Sequence, residues 1–449
     1  MKFILRIFLL FSFTTAAHAF QVDEESMKKE PIILKYADSL VGSEAIGEKI
    51  KKYYGHVKFR QGSMEVSCDK AVQFIDLNKA ELIGNVIVTQ DTMILKSPRI
   101  FYNGNTRIAE ALDSLYLIDG KTKLASSRGI YSTSSKIADF LQNVTVEDDS
   151  SLIVADRIIY QRKTRVSNAY GNVNVFGKFS NSILTGDTVY NAPSSNYTRA
   201  TGSPRLFQID TSSRKDSVVM KMDKKTLLLD SSERISKLTF DTLFVKCDTM
   251  ELMRSYEESI FKFIGNPEIV RNSTCTKSKY AVFNKRKEYF ALSGDPVIWY
   301  DSTQLYADSS IIFLHNNRLK AISSIGNAIA VSCNDSANPS RKDQLSGKKI
   351  FLFFENDSMR YISSSQEAKS LYFMDDDGEP NGGSKIMADS IFIDFKDNKP
   401  FEISWLGGAQ GDFYPENVIS SSLKTYYLPN FRWSEKKPQK SHLSLRNHK

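Results

Sequence analysis

Gly171-Asn172-Val173-Asn174-Val175 decides how this chain is read, because the same five-residue phrase returns at a fixed interval. Gly55-His56-Val57-Lys58-Phe59, Gly84-Asn85-Val86-Ile87-Val88, Asp113-Ser114-Leu115-Tyr116-Leu117 and Gln142-Asn143-Val144-Thr145-Val146 precede it, each 29 residues from the next. The spacing then loosens through Gly202-Ser203-Pro204-Arg205-Leu206, Gly265-Asn266-Pro267-Glu268-Ile269, Gly294-Asp295-Pro296-Val297-Ile298 and Gly326-Asn327-Ala328-Ile329-Ala330, and a copy expected near Ile235 is degenerate. The third and fifth positions are apolar or proline in every copy, whereas the fourth ranges from Lys58 to Val297. Alternation with period two is the mark of a strand with one buried face. The leading Gly-Asn pair is turn chemistry, since both residues tolerate positive φ. Each copy reads as a corner feeding a short strand.

Two further columns flank this one. Val66, Leu95, Leu124, Ile153, Leu184 and Leu305 share a position, followed two residues later by small Cys68, Ser97, Ser126, Ala155, Gly186 and Ala307. Asp69, Asp156, Asp187 and Asp308 come next, then an apolar pair ending in Tyr102, Tyr131, Tyr160 or Tyr190. Ahead of each corner stand Ala80 and Leu82, Ala109 and Ala111, Ala138 and Phe140, Ala169, and Ala200. Three columns suggest about three short strands per repeat. No window keeps an apolar period of 3.6, so almost no helix is expected. Repeats this short cannot bury their apolar faces alone and must stack. The expected fold is all-β: an elongated, repeat-built β-jellyroll or β-solenoid with a one-sided apolar interior. The columns do not separate a closed β-helix from an open V.

Outside the repeats, Lys2 and Arg6, the apolar run Ile7–Phe13 and Ala17-His18-Ala19 form a secretory leader cleaved near Ala19. The expected organisation is residues 1–19 as leader, 20–330 as regular repeats, 331–433 as lengthened late repeats and 434–449 as a basic unstructured tail. In the late repeats, polar loops at Asn334–Gln344 and Asp375–Ser384 are expected to take up the extra length. The net charge of +8 fits an anionic partner or simple solubility equally, and an exported chain is a poor candidate for nucleic acid. The four cysteines are widely spaced without CxxC. They read as small buried residues, with a Cys247–Cys275 bridge left open.

Catalysis finds little support. The aspartates recur one per repeat at the same place, as turn or ladder residues do, and not as a unique acid/base pair. His56, His315, His442 and His448 have no metal-ligand or triad spacing. Asp375, Asp376 and Asp377 do not match an EF-hand, and a surface loop is the expected reading. No catalytic residue, metal site or cofactor is assigned. A rod-like structural or adhesive stalk is a competing reading, and a β-helix enzyme acting on polysaccharide a weaker one.

Ala155-Asp156-Arg157-Ile158-Ile159-Tyr160 followed by Ala169-Tyr170-Gly171-Asn172-Val173-Asn174-Val175, with Gly186-Asp187-Thr188-Val189-Tyr190 leading to Ala200-Thr201-Gly202-Ser203-Pro204, resembles the OstA/LptA family of lipopolysaccharide-transport proteins. The resemblance is good over Leu34 to Ile329 and weaker to Asp412, and the length is that of the larger OstA-like variety. It implies a non-catalytic periplasmic β-jellyroll whose apolar groove holds lipid A acyl chains and carries lipopolysaccharide toward the outer membrane. It also implies other transport components, or further copies of the chain head to tail, joined through sheet edges. An acyl chain of twelve carbons left in water costs on the order of 8–10 kcal/mol at about 0.8 per methylene, so transit needs cover. The groove residues expected are Val57, Val66, Val86, Leu95, Leu124, Val144, Ile153, Val173 and Leu184; the columns alone favour an ordinary packed core, and the resemblance reverses that preference. Residues 21–35 and the aromatic run Tyr426–Trp433 are candidate caps or docking segments.

Overall fold

The computed structural model describes residues 32–45, 48–178, 181–210, 241–255, 258–333, 338–356, 358–376, 379–396 and 399–439. The leader, most of segment 21–35, the degenerate copy near Ile235 and most of the basic tail therefore lie outside the described residues. Strands dominate, and the two α-helices, Glu416–Ile419 and Leu423–Tyr426, are single turns. The chain divides into two compact units, Met1–Gly202 and Ser203–Lys449.

In the first unit the strands follow one another as an antiparallel meander. Glu48–Gln61, Met64–Phe74, Lys79–Gln90 and Met93–Asn103 each pair with the next. Ile137–Glu147, Ser151–Gln161, Val166–Gly177 and Ser182–Ala192 do the same. In these stretches a repeat supplies two long strands, whereas Ile108–Leu112, Leu115–Asp119, Thr122–Ser126 and Arg128–Ser132 keep the corner as a break and stay short. The column before the corner and the column after it belong to one strand, bent in the middle.

The bend is made by two consecutive left-handed residues. Gly171 and Asn172 have φ of 70° and 47°, Gly84 and Asn85 76° and 45°. The left-handed region costs most L-residues roughly 1–2 kcal/mol, which explains why the corner selects glycine and asparagine. Ladder register shifts across the corner, between Tyr170 and Val173 and between Ile83 and Val86. These are bulges that re-aim the strand. The arms on either side face each other: the Tyr53 and Phe59 rings, flanking the Gly55 corner, meet edge-on at 5.2 Å. The cross-section is a V with its apex at the corners and its two rims made by hairpin turns. A β-helix coil stacks its strands in parallel, whereas these strands pair antiparallel, so the open V is the form adopted.

In the second unit the late repeats lengthen their strands. Arg318–Ser332, Asp343–Glu355, Ser358–Asp376 and Glu379–Lys396 run to 15, 13, 19 and 18 residues. This corrects the expectation of long polar loops. The aspartate stretch at 375–377 begins as the end of a strand, and Asp375 and Asp376 pair with Pro380 and Glu379. Backbone pairing absorbs polar residues readily when their side chains face solvent. After the strand Gln410–Tyr414, the chain crosses the outer face of the sheet. There Ile419 and Leu428 pack on Tyr306, Ile329, Val331, Leu371 and Phe373. The aromatic run Tyr426–Trp433 is therefore a strap over its own unit.

No disulfide joins any of the four cysteines, so the Cys247–Cys275 bridge does not form. Cys68, Cys247 and Cys275 are buried. Burial pushes the Cys68 thiol up to about 11 and the Cys247 thiol up to about 12.

Candidate functional site

The recurrent aspartates belong to the corners. Asn172 Nδ2 donates to Asp156 Oδ2 at 3.0 Å, and Asn85 to Asp69 at 2.9 Å. Asn327 does the same to Asp308 at 3.1 Å, and His56 Nδ1 lies 3.0 Å from Asp38 Oδ2. In each case the carboxylate sits directly beneath the corner glycine: Asp38 under Gly55, Asp69 under Gly84, Asp156 under Gly171, Asp187 under Gly202 and Asp308 under Gly326. A Cβ at those glycines would overlap the carboxylate. Each aspartate is thus engaged in tying one strand to the next, which is a structural use.

The apolar interior of the first unit is the candidate site. On one wall Phe59, Val66, Val88, Leu95, Leu117 and Leu124 form a row, each the direct cross-strand partner of the next. Val146, Ile153, Val175 and Leu184 continue it. Nearer the apex Val57 faces Cys68, Val86 faces Ser97, Val144 faces Ala155 and Val173 faces Gly186. This alternation of large and small residues lets the apex close. The opposite wall carries Tyr53, Ala71, Leu82, Ile100, Ala111, Gly129, Phe140 and Ile158 in one row. Beyond it, toward the rim, Ala80, Tyr102, Ala109, Tyr131, Ala138 and Tyr160 alternate.

The nine expected groove residues separate into two groups. Val57, Val86, Val144 and Val173 sit at the apex with at most 1% exposure and are sealed by their neighbours. Leu124, Ile153 and Leu184 are also buried, while Val66 and Leu95 are half-buried on the inner wall. Phe59, Val88 and Leu117 were not among the candidates, yet they link Val66 and Leu95 into one half-open row. Their signal was available, since they are the fifth position of the repeat phrase. The tyrosine–alanine row of the other wall was legible as columns but not as part of the interior. Burial raises the pKa of the Tyr53 and Tyr160 hydroxyls, in keeping with an apolar wall, and Tyr53 donates to Gln73 Oε1 at 3.2 Å.

The mouth is cationic at its first complete strand. Lys49, Lys51, Lys52, Lys58 and Arg60 lie in Glu48–Gln61, and Lys49 and Lys51 share the inward parity of Tyr53 at the rim. Lys51 stands between Gly42 and Gln73, with no acid opposite it, whereas Lys49 faces Glu44. No group of three or more His, Cys, Asp or Glu placed to hold a metal occurs among the described residues.

The fold and this interior define a repeat-built antiparallel β protein with an apolar slot. Residues 29–117 match the family model described as "OstA-like protein". No curated protein matches the chain. Among solved structures, the crystal structure of LptH, described as the LptA-homologous periplasmic component of the conserved lipopolysaccharide transport device from Pseudomonas aeruginosa, is similar at 17% identity. That likeness covers 24% of this chain and 82% of LptH with a TM-score of 0.23.

Proposed function

We propose that this chain is a non-catalytic lipopolysaccharide carrier of the periplasm, its apolar interior holding lipid A acyl chains on the way to the outer membrane. The observation that carries this reading is the half-open apolar row Phe59–Val66–Val88–Leu95–Leu117, which falls within the OstA-like span. A packed core would bury this row on its own. Here the chain leaves apolar surface toward an opening, and acyl chains burying it gain about 25 cal/mol per Å². The sugar and phosphate head stays in water at the mouth.

The sheet ends supply the means of joining partners. Ile33, Leu34 and Tyr36 are exposed on the strand Ile33–Tyr36, and Phe401, Leu406 and Phe413 are exposed on the last strands. Apolar edge strands of this kind accept a further strand. Other transport components, or a second copy head to tail, are the proposed occupants. A stalk would need neither the half-open row nor a lipid. Depletion in the source cell tests the function: loss of lipopolysaccharide from the surface with its build-up at the inner membrane is expected, and an unchanged surface level would reject the carrier in favour of the stalk.

A further inference from the structure

Equivalent positions of the repeat differ in how well the chain fills them. The fifth position of the phrase is half-buried at Phe59, Val88 and Leu117. At Val146, Val175 and Ile298 it is only 1–2% exposed. The change coincides with a contact across the V. Gly129 lies on the opposite wall with the Leu115 and Phe140 side chains against it, at 3.3 and 3.7 Å from where its Cβ would be. At that point the row on the opposite wall, which runs Tyr53, Ala71, Leu82, Ile100 and Ala111, reaches Gly129, and Phe140 and Ile158 follow. In the second unit the corresponding wall is aromatic. Phe283 and Phe290 stack at 4.2 Å, Phe263 is buried, and Tyr300 meets Phe354 across the interior at 4.7 Å. Arg271 Nη2 also donates to the Asn317 carbonyl at 2.7 Å, tying one rim of that unit to the other.

We infer that acyl chains are held only between the strands Glu48–Gln61 and Leu115–Asp119, and that the interior from Leu124 onward, including the described residues of the second unit, is filled by its own side chains. This rests on the carrier reading above. The site ends at the Leu115–Gly129 contact and is bounded at its other side by the rim lysines. An anionic head therefore sits at Lys51, and the ligand class is a phosphorylated glycolipid whose chains span a few strands. The second unit is scaffold, with a core already complete.

The test uses the full chain and bisphosphorylated lipid A. A photoreactive residue at Val88 is expected to label lipid at least tenfold more than one at Val175 or Ile298. Equal labelling at the three positions would overturn the confinement while leaving the carrier reading intact. No labelling anywhere, with no lipid A co-eluting, would overturn the carrier reading itself. A bulky residue at Val175 or Ile298 can unfold the chain, so hydrogen exchange on the unaltered protein gives a second readout. Lipid A is expected to protect amides within residues 48–126 and to leave Ser259–Ile264 and Val297–Tyr300 unchanged. Protection spread over both units would overturn the inference. Lys51→Glu is expected to weaken bisphosphorylated lipid A about tenfold, the size of one charge-assisted hydrogen bond, and to spare the dephosphorylated lipid. An equal effect on both lipids would remove the headgroup assignment.

Discussion

At the scale of single residues, the corner is where the repeat is enforced. Gly171 has φ of 70° and the Asp156 carboxylate beneath it, whereas Gly120 has φ of 57° and open space around it. Gly120→Ala should cost only the left-handed penalty of roughly 1–2 kcal/mol. Gly171→Ala adds a collision with Asp156, and about 3 kcal/mol or more is expected in urea unfolding, with part regained on adding Asp156→Ala. Equal costs at the two glycines would refute the Asp–Gly tie. The sequence displays both partners as columns but not their pairing, because 15 residues and an antiparallel neighbour separate them. The cross-strand pairs Arg99–Glu81, Arg128–Glu110 and Arg157–Asp139 escape a linear reading for a similar reason. They recur at 29 residues on the solvent side, and each is worth at most about 1 kcal/mol. The thiols make a pH prediction. Folding raises Cys68 to about 11 from 9.0, so its ionisation favours the unfolded chain. Stability is therefore unaffected by this thiol below pH 9 and falls as pH climbs from 9 toward 11. Correspondingly, a thiol reagent at pH 8 should leave Cys68 and Cys247 unmodified until the chain is unfolded; rapid native labelling of either would contradict their burial.

At the scale of elements, strand parity was legible and strand length was not. The period-two alternation placed Val57, Val86, Val144 and Val173 on the inner side, where the structure has them. The corner phrase looked like a boundary between strands because its glycine and asparagine resemble a turn. At Gly55, Gly84, Asn143 and Gly171 the strand continues through it as a bulge, whereas at Asp113, Gly265 and Gly294 it ends the strand. The strap was half legible. Its aromatic run stood out, while what it covers is written elsewhere, in the loss of alternation at Ala328-Ile329-Ala330-Val331. A strand buried on both faces reads in that way. Buried polar residues hold the strap. Arg341 donates to Glu416 Oε2 at 2.5 Å and to the Met374 and Gly382 carbonyls, and the buried Gln344 and Gln304 accept from the backbone amides of Leu428 and Ser434. Removing one member of a buried ionic network strands the others. Arg341→Ala should destabilise by about 3 kcal/mol and open Lys424 and Arg432 to trypsin, whereas Arg360→Ala, in an exposed pair with Glu355, should do neither.

At the scale of the whole molecule, the two units share one construction and differ in how they are filled. The same V of antiparallel strands encloses a half-open aliphatic row in the first unit, and stacked aromatics with a strapped outer face in the second. Repetition in the sequence revealed the construction because backbone corners demand particular residues. It did not reveal the filling, because alanine and phenylalanine satisfy the same apolar column equally well. The difference lies in volume summed across two facing walls, which a linear reading does not add up. The central claim, that the inner wall receives acyl chains, depends on side-chain parity along single strands. Photo-crosslinking in cells tests it most directly, with probes at inward Phe59 and Val88 compared with their outward neighbours Lys58 and Ile87. Lipopolysaccharide crosslinked from Phe59 and Val88, and not from Lys58 and Ile87, is the predicted result; labelling that ignores parity would contradict it.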